Sequence, residues 1–178
     1  MPNGFGTYCR CAKGVIKMCQ DVSNITMNLL SLDATISVTS WSRRTWWRRL
    51  AEGLVTRASD DARGRAMISW IDVEARLLVL LSEEDRTVLQ KADAGHADAQ
   101  NDIGQLLTGS RHYDGALHWI RQAAAQDHPD AMQWLGRMYA SGEGVERDEN
   151  FALMWIAKAA AFGHVIADQQ IKFIRSRS

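Results

Sequence analysis

No cysteine follows Cys19 in this 178-residue chain, and its three cysteines (Cys9, Cys11, Cys19) all lie in the first 26 residues. A disulfide framework for the remaining sequence is therefore excluded. Cys9-x-Cys11 has neither a second pair nor a nearby histidine to complete a tetrahedral metal site, so reduced thiols are expected. Long apolar runs are also missing. Val15–Cys19 and Leu77–Leu81 span five residues each, where a membrane helix needs about 20. The N-terminus lacks the apolar core of a signal peptide, so a cytoplasmic location is expected. There are only two prolines, and net charge is zero. With 46% hydrophobic residues the chain can bury a real core and is not a disordered polymer.

Catalytic constellations are missing too. Gly142-Glu143-Gly144 lacks the glycine or Lys-Ser/Thr that would make it a phosphate loop. Ser110 and Ser141 have no nucleophile context. The carboxylates Glu83-Glu84-Asp85 and Asp148-Glu149 stand where helices are expected to start, and the helix dipole alone accounts for negative charge there. His96, His128 and His164 recur just before successive helices. Helices pack about 8–10 Å apart, too far for three such nitrogens to share one zinc. His112 and His118, six apart, do not share a helix face. The expectation is no catalytic residue, no metal and no cofactor.

What the chain does have is a repeat. Ala116/Ala152, Trp119/Trp155, Ala123/Ala159 and His128/His164 each recur 36 residues apart, whereas Ala99/Ala131 and Gly104/Gly136 recur 32 apart. The upstream copy is therefore four residues shorter in its connecting loop. Recurrence at this length marks stacked helical hairpins. Ala131, Leu135, Met138 and Tyr139 form one helical stripe, and Ala152, Trp155, Ile156 and Ala159 form the next. Gly136 and Gly104 sit mid-helix at a cost of about 1 kcal/mol relative to Ala, which close approach of a neighbouring helix would offset. Gly142 and Gly144 supply turn angles that residues with a Cβ avoid. Asp148 is placed to cap the second helix.

The string Leu135-Gly136-x-Met138-Tyr139-x-x-Gly142-x-Gly144-Val145-x-x-Asp148, with Ala152-x-x-Trp155-x-x-Lys158-Ala159-Ala160-x-x-Gly163, resembles the Sel-one-like repeat, a relative of the tetratricopeptide repeat. Residues 97–127 match less well, with Asp127 standing where Gly163 does. Half-copies flank the pair, and in the last one Lys172 takes the glycine position. The resemblance implies an all-α, right-handed αα-hairpin solenoid of about two full repeats. Some members of that family are cysteine-rich proteins credited with β-lactam hydrolysis. Without cysteines after Cys19 their framework is absent, and that hydrolase activity is not carried over.

Three regions are expected: an irregular leader over 1–40, a helical cap over 41–81 and repeats over 82–178. Met27 is a candidate start of the functional polypeptide. Within 22–45, a short helix over Met27–Leu32 or a loop is expected. In the cap, one helix would bury Trp47, Leu50, Ala51, Leu54 and Val55. A second, capped by Ser59 or Asp60, would run to about Leu81 with Met67, Trp70, Ile71, Leu77 and Leu78 inward. Ser82-x-x-Asp85 reads as a capping box. Residues 1–81 hold 11 Lys+Arg against 7 Asp+Glu, and residues 82–178 hold 10 against 14.

The expected role is a non-catalytic adaptor or scaffold that holds a peptide or helix of a partner protein. First helices of such a solenoid line its concave side. That side would then present Asp102 and Gln105, Trp134 and Arg137, and Gln170. A second reading uses the basic Trp/Arg segment 41–57 at a membrane surface. Nucleic acid is not expected, since four arginines alone bind it weakly and salt-sensitively.

Overall fold

The computed structural model describes residues 29–177. The expectations for Cys9, Cys11, Cys19 and Met27 lie outside the described residues. The order is β1 (Leu29–Ser31), α1 (Leu32–Val38), α2 (Arg43–Ala51), β2 (Met67–Ser69), α3 (Trp70–Glu74), α4 (Glu83–Ala94), α5 (Ala97–Gly109), α6 (Tyr113–Ala125), α7 (Pro129–Ser141), α8 (Glu149–Ala161) and α9 (Val165–Arg175). From α4 onward each helix packs on its sequence neighbour, which makes a helical solenoid with α5, α7 and α9 as first helices and α6 and α8 as second helices. No strand follows residue 82 among the described residues.

Glycines set the spacing within each hairpin. A Cβ placed on Gly104 would lie 2.5 Å from Ile120 Cδ1, and one on Gly136 would lie 2.7 Å from Ile156 Cγ1. Ile120 and Ile156 follow Trp119 and Trp155, so the same wedge recurs in both copies. Gly142 and Gly144 adopt φ of +75° and +71° in the α7–α8 turn. The shorter turn of the upstream copy is made by Arg111 at φ +62°. Asp127 takes the same left-handed region (φ +62°) that Gly163 takes at the equivalent place, and Lys158 Nζ reaches its carboxylate at 3.3 Å. The two indoles share a register but not an environment. Trp119 is 1% exposed, with His118 edge-on at 4.9 Å, whereas Trp155 is half-buried beneath Lys158.

The front of the chain differs from its sequence reading. Residues 29–38 are not an irregular leader: Leu30 and Thr35 are fully buried. Leu29–Ser31 is a strand rather than part of a helix, paired antiparallel with Met67–Ser69. Within the 41–81 cap, the long second helix is absent. Residues 59–66 are loop, Met67–Ser69 is strand, and only Trp70–Glu74 is helical. The i/i+3/i+4 spacing of its apolar residues is helical, but hydrogen bonding to a strand far upstream (Leu30 beside Ile68) overrides local periodicity. Leu77 forms a bridge with Thr39, and Leu80 is 97% exposed, so Leu77–Leu81 is not a buried helix end. In α2 the inward indole is Trp46 rather than Trp47. Trp46 is fully buried and donates its indole N–H to Thr39 Oγ1 at 3.2 Å.

Polar bonds fasten this front unit to the repeats. Asp93 of α4 accepts from the Ser31 amide at 2.8 Å, the Ser31 hydroxyl at 2.6 Å and the Arg65 guanidinium at 2.6 Å. Arg65 Nε also donates to Asp61, whose other oxygen accepts the Arg65 and Arg63 amides. Those bonds, the Arg65 amide first, hold the Asp61 carboxyl below its ordinary value. Farther along, α1 meets α6 at Gly115, where any Cβ would strike the Ser37 carbonyl. Ser82 and Asp85 form the reciprocal capping box that opens α4.

Two stability outcomes follow from this packing. Gly104→Ala and Gly136→Ala each lower stability by about 1–3 kcal/mol in urea unfolding, because overpacking exceeds the propensity gain. Gly109→Ala, which meets nothing within 4 Å, does not. Trp119→Ala costs about 3–5 kcal/mol, and Trp155→Ala costs less because part of that ring already faces water.

Candidate functional site

The first helices are related position by position, and their solvent stripes can be compared directly. On α5 the stripe is Asp98, Asp102 and Gln105. On α7 it is Asp130, Trp134 and Arg137, and on α9 it is Ile166, Gln170 and Phe173. The buried residues of the same helices confirm the register: Ala99, Ala131 and Ala167 are all core.

Of the residues singled out for partner binding, Asp102, Arg137 and Gln170 are exposed, while Gln105 and Trp134 are half-buried. The Arg137 guanidinium lies 4.3 Å from the Trp134 ring centroid, a cation–π contact that covers one indole face. Gln133 Nε2 donates to Gln170 Oε1 at 3.0 Å, tying α7 to α9 along the stripe. Asp102 and Gln105 of α5 have no such bond to α7 among the described residues. The repeat-structural residues Ala99, Gly104, Ala116, Trp119, Ala123, Ala131, Gly136, Ala152 and Ala159 are buried. Tyr139 and Trp155 are half-buried, and Gly142, Gly144 and Gly163 lie exposed in turns. Tyr139 stacks on Phe151 at 5.4 Å.

Two of the three recurrent histidines are clasps, whereas His96 makes no side-chain capping bond at the start of α5. His128 Nδ1 accepts the Ala131 amide as the N-cap of α7, and its Nε2 lies 3.1 Å from Asp98 of the preceding first helix. His164 repeats this arrangement, with its Nδ1 taking the Ala167 amide and its Nε2 3.5 Å from Asp130. Nδ1 must be unprotonated to accept, so a neutral ring carries its proton on Nε2, from which His128 donates to Asp98. Sequence reading placed these residues in turns; the matched 36- and 32-residue offsets of His and Asp were the available signal for the pairing. The residues missed outright are Ser31, Arg65, Asp93 and Gly115, which act across long sequence separations and leave no periodic trace.

Depressions of comparable size lie off this stripe. One of about 520 Å³ runs between α1 and the start of α6, lined by Ile36, Trp41, Leu78, Arg111, His112 and Tyr113 among others. A second of about 400 Å³ adjoins it, lined by Asp33, Arg43, Asp114 and His118. Burial pushes the His118 imidazole below its ordinary 6.5 and the Arg43 charge acts in the same sense, while Asp33 and Asp93 oppose it. Among the described residues, no group of three or more His, Cys, Asp or Glu could hold a metal ion. No helix there is long and apolar enough to cross a membrane.

The Sel1 repeat family matches residues 97–128 and 129–164. Residues 97–164 thus resemble two consecutive Sel1 repeats. Similar solved structures include a Sel1 repeat protein from Oxalobacter formigenes, 32% identical over 48% of this chain and 27% of that one, with a TM-score of 0.44. Another is c5321, a protective antigen of uropathogenic Escherichia coli with an SLR fold, 29% identical over 52% of this chain and 21% of that one, TM-score 0.46. This chain thus spans about a quarter of the length of those two proteins. The boundary between the Sel1 repeats falls at the His128 clasp, so the histidine joins one repeat to the next.

His118 yields a pH outcome. Its folded-state value is depressed, so below 6.5 the unfolded chain binds the proton more readily and stability falls as pH drops. In chemical denaturation between pH 7.5 and 5, His118→Asn shows a shallower decline than the parent chain.

Proposed function

We propose that this protein is a non-catalytic interaction module that holds a segment of a partner protein across its first helices. Sel1 repeat proteins generally mediate protein–protein interaction, and the site on this chain is argued from its own residues. The observation that carries the reading is Trp134 with Arg137. A large indole stands half-exposed between Asp130 and Arg137 on α7, braced by a guanidinium, in the residue classes that dominate binding hot spots. Rigid helices hold both side chains, so little entropy is lost when a partner docks. In this reading the repeats from residue 82 provide the binding face. The front unit, held at Asp93 and Gly115, closes the stack, which solenoids need at an open end.

A membrane-surface reading draws on α2. Trp47 and Leu54 are 43% and 57% exposed, and Ile71, near Leu54 through the Thr56 amide bond to Asp72, is 78% exposed. Arg44 and Arg48 form no ion pair among the described residues. Arg43 and Arg49 are engaged by Asp33 and Glu52, which leaves two of the four arginines for anionic lipid.

The double variant Trp134→Ala/Arg137→Ala loses at least tenfold of partner recovered in affinity purification from the native host, with a melting temperature within a few degrees of the parent. Parallel loss of fold and partner would sink the assignment. Loss of recovery only in Trp47→Ser/Leu54→Ser, with co-sedimentation on anionic liposomes, would favour the membrane reading instead.

A further inference from the structure

The open stripe changes character from one end of the stack to the other. On α5 it is acidic, with Asp98 and Asp102. On α7 it is mixed, with Asp130 and the Trp134–Arg137 pair. On α9 it is apolar, with Ile166 and Phe173 59% and 60% exposed. Ile166 stands where the inner first helices carry Asp130 and Asp98, and Phe173 stands where they carry Arg137 and Gln105. Apolar side chains thus replace charged or polar ones at solvent positions, the reverse of what a solvated helix face requires.

A further hairpin laid on α9 would reach Ile166 only at its edge, as His128 reaches Asp98, whose side chain stays 95% exposed, and as His164 reaches Asp130. The positions through which α7 meets its own second helix are Met132 and Gly136, both buried. Their counterparts on α9 are Asp168 and Lys172, joined in an ion pair at 2.6 Å. A lysine stem occupies the place where even a Cβ would collide in the inner repeats. That side of α9 is charged and wet, and Ile166 and Phe173 point along a different side. Gln170, between them in the helix, bonds back to Gln133, so this side adjoins the Trp134 stripe of α7.

Charge distinguishes the other end. Asp102 has no ion pair among the described residues, and the Asp98 side chain is 95% exposed although His128 reaches one oxygen. The nearest guanidinium of the stripe, Arg137, is held on the Trp134 ring. From this gradient we infer that the face takes a basic amphipathic helix in one direction, cationic end over α5 and apolar end over α9. The inference rests on the interaction-module reading and specifies its partner. Three first helices spaced about 8–10 Å apart span roughly 20 Å, the length of about 13 residues of helix. A cation over Asp98 and Asp102 would gain on-rate and orientation. Ile166, Phe173 and the free edge of Trp134 would take the apolar anchors.

The test uses the full chain and fluorescein-labelled 14-residue helical peptides in anisotropy titrations at 50 and 200 mM NaCl. One peptide has lysines in one half and Leu/Phe in the other. A second replaces the lysines with glutamates, and a third interleaves the residues of the first. The lysine–apolar peptide should bind at least tenfold tighter than the other two, and more weakly at the higher salt. Phe173→Asp and Asp102→Lys should each weaken it at least tenfold, with Asp102→Lys improving the glutamate peptide. Met154→Asp, on the second-helix surface, should change nothing. Equal binding of all three peptides that still depends on Trp134 would overturn the gradient and leave the binding face standing. Binding indifferent to Asp102, Trp134 and Phe173 would overturn both readings. No binding by any peptide overturns the gradient. So does self-association in sedimentation velocity that Phe173→Asp abolishes, since a second copy would then cover the apolar end.

Discussion

Close approach of paired helices at Gly104 and Gly136 is the constraint on which the rest of the repeat depends. Ile120 and Ile156 each occupy the volume that a side chain on the first helix would have taken. That fixes the depth at which Trp119 and Trp155 insert, and therefore the angle at which each hairpin presents its outer stripe. A glycine in mid-helix is unfavourable locally. It persists here because the packed pair recovers more in van der Waals contact than the backbone loses. The binding stripe is a by-product of that geometry: once the inner faces are locked, the positions of Asp102, Trp134 and Phe173 follow.

The front unit obeys a different logic. It is joined to the solenoid by a buried carboxylate, Asp93, that is 8% exposed and satisfied by Ser31 and Arg65. Such a group costs desolvation and returns it only when every partner is in place. Docking there is consequently specific in register: sliding β1 by one residue would turn Ser31 away and leave a charge unpaired. The repeats recognise one another mostly by shape, with the histidine clasps as the polar supplement. The front unit is recognised mostly by hydrogen bonds and by the fit of Ser37 over Gly115.

The repeat was legible in the sequence because its causes are local and occur twice. The glycine wedge and the tryptophan register leave marks at fixed offset, and the Asp148 cap and the Ser82–Asp85 box are motifs of adjacent residues. Residues 29–81 were not legible because their causes are distant. Met67-Ile68-Ser69 is a strand only because Leu29-Leu30-Ser31 lies beside it, and nothing within a helical window signals that. Trp46 rather than Trp47 turns inward because Thr39 offers its hydroxyl, again a tertiary cause. The partner-binding stripe was half legible. Its positions followed from the repeat, but the exposure of Ile166 and Phe173 is set by how α9 packs on α8, which no sequence offset reports.

The bond from Ser31 to Asp93 bridges 62 residues, whereas contacts within a hairpin bridge about half that or less. Loop closure costs entropy that local contacts do not, so chain segments of high separation assemble late. The hairpins can therefore stand as a preformed template, and the two-stranded ribbon is the piece that arrives last and leaves first. Any event that loosens the ribbon uncovers the α4 and α6 flanks while the far end of the stack, with its apolar stripe, stays built.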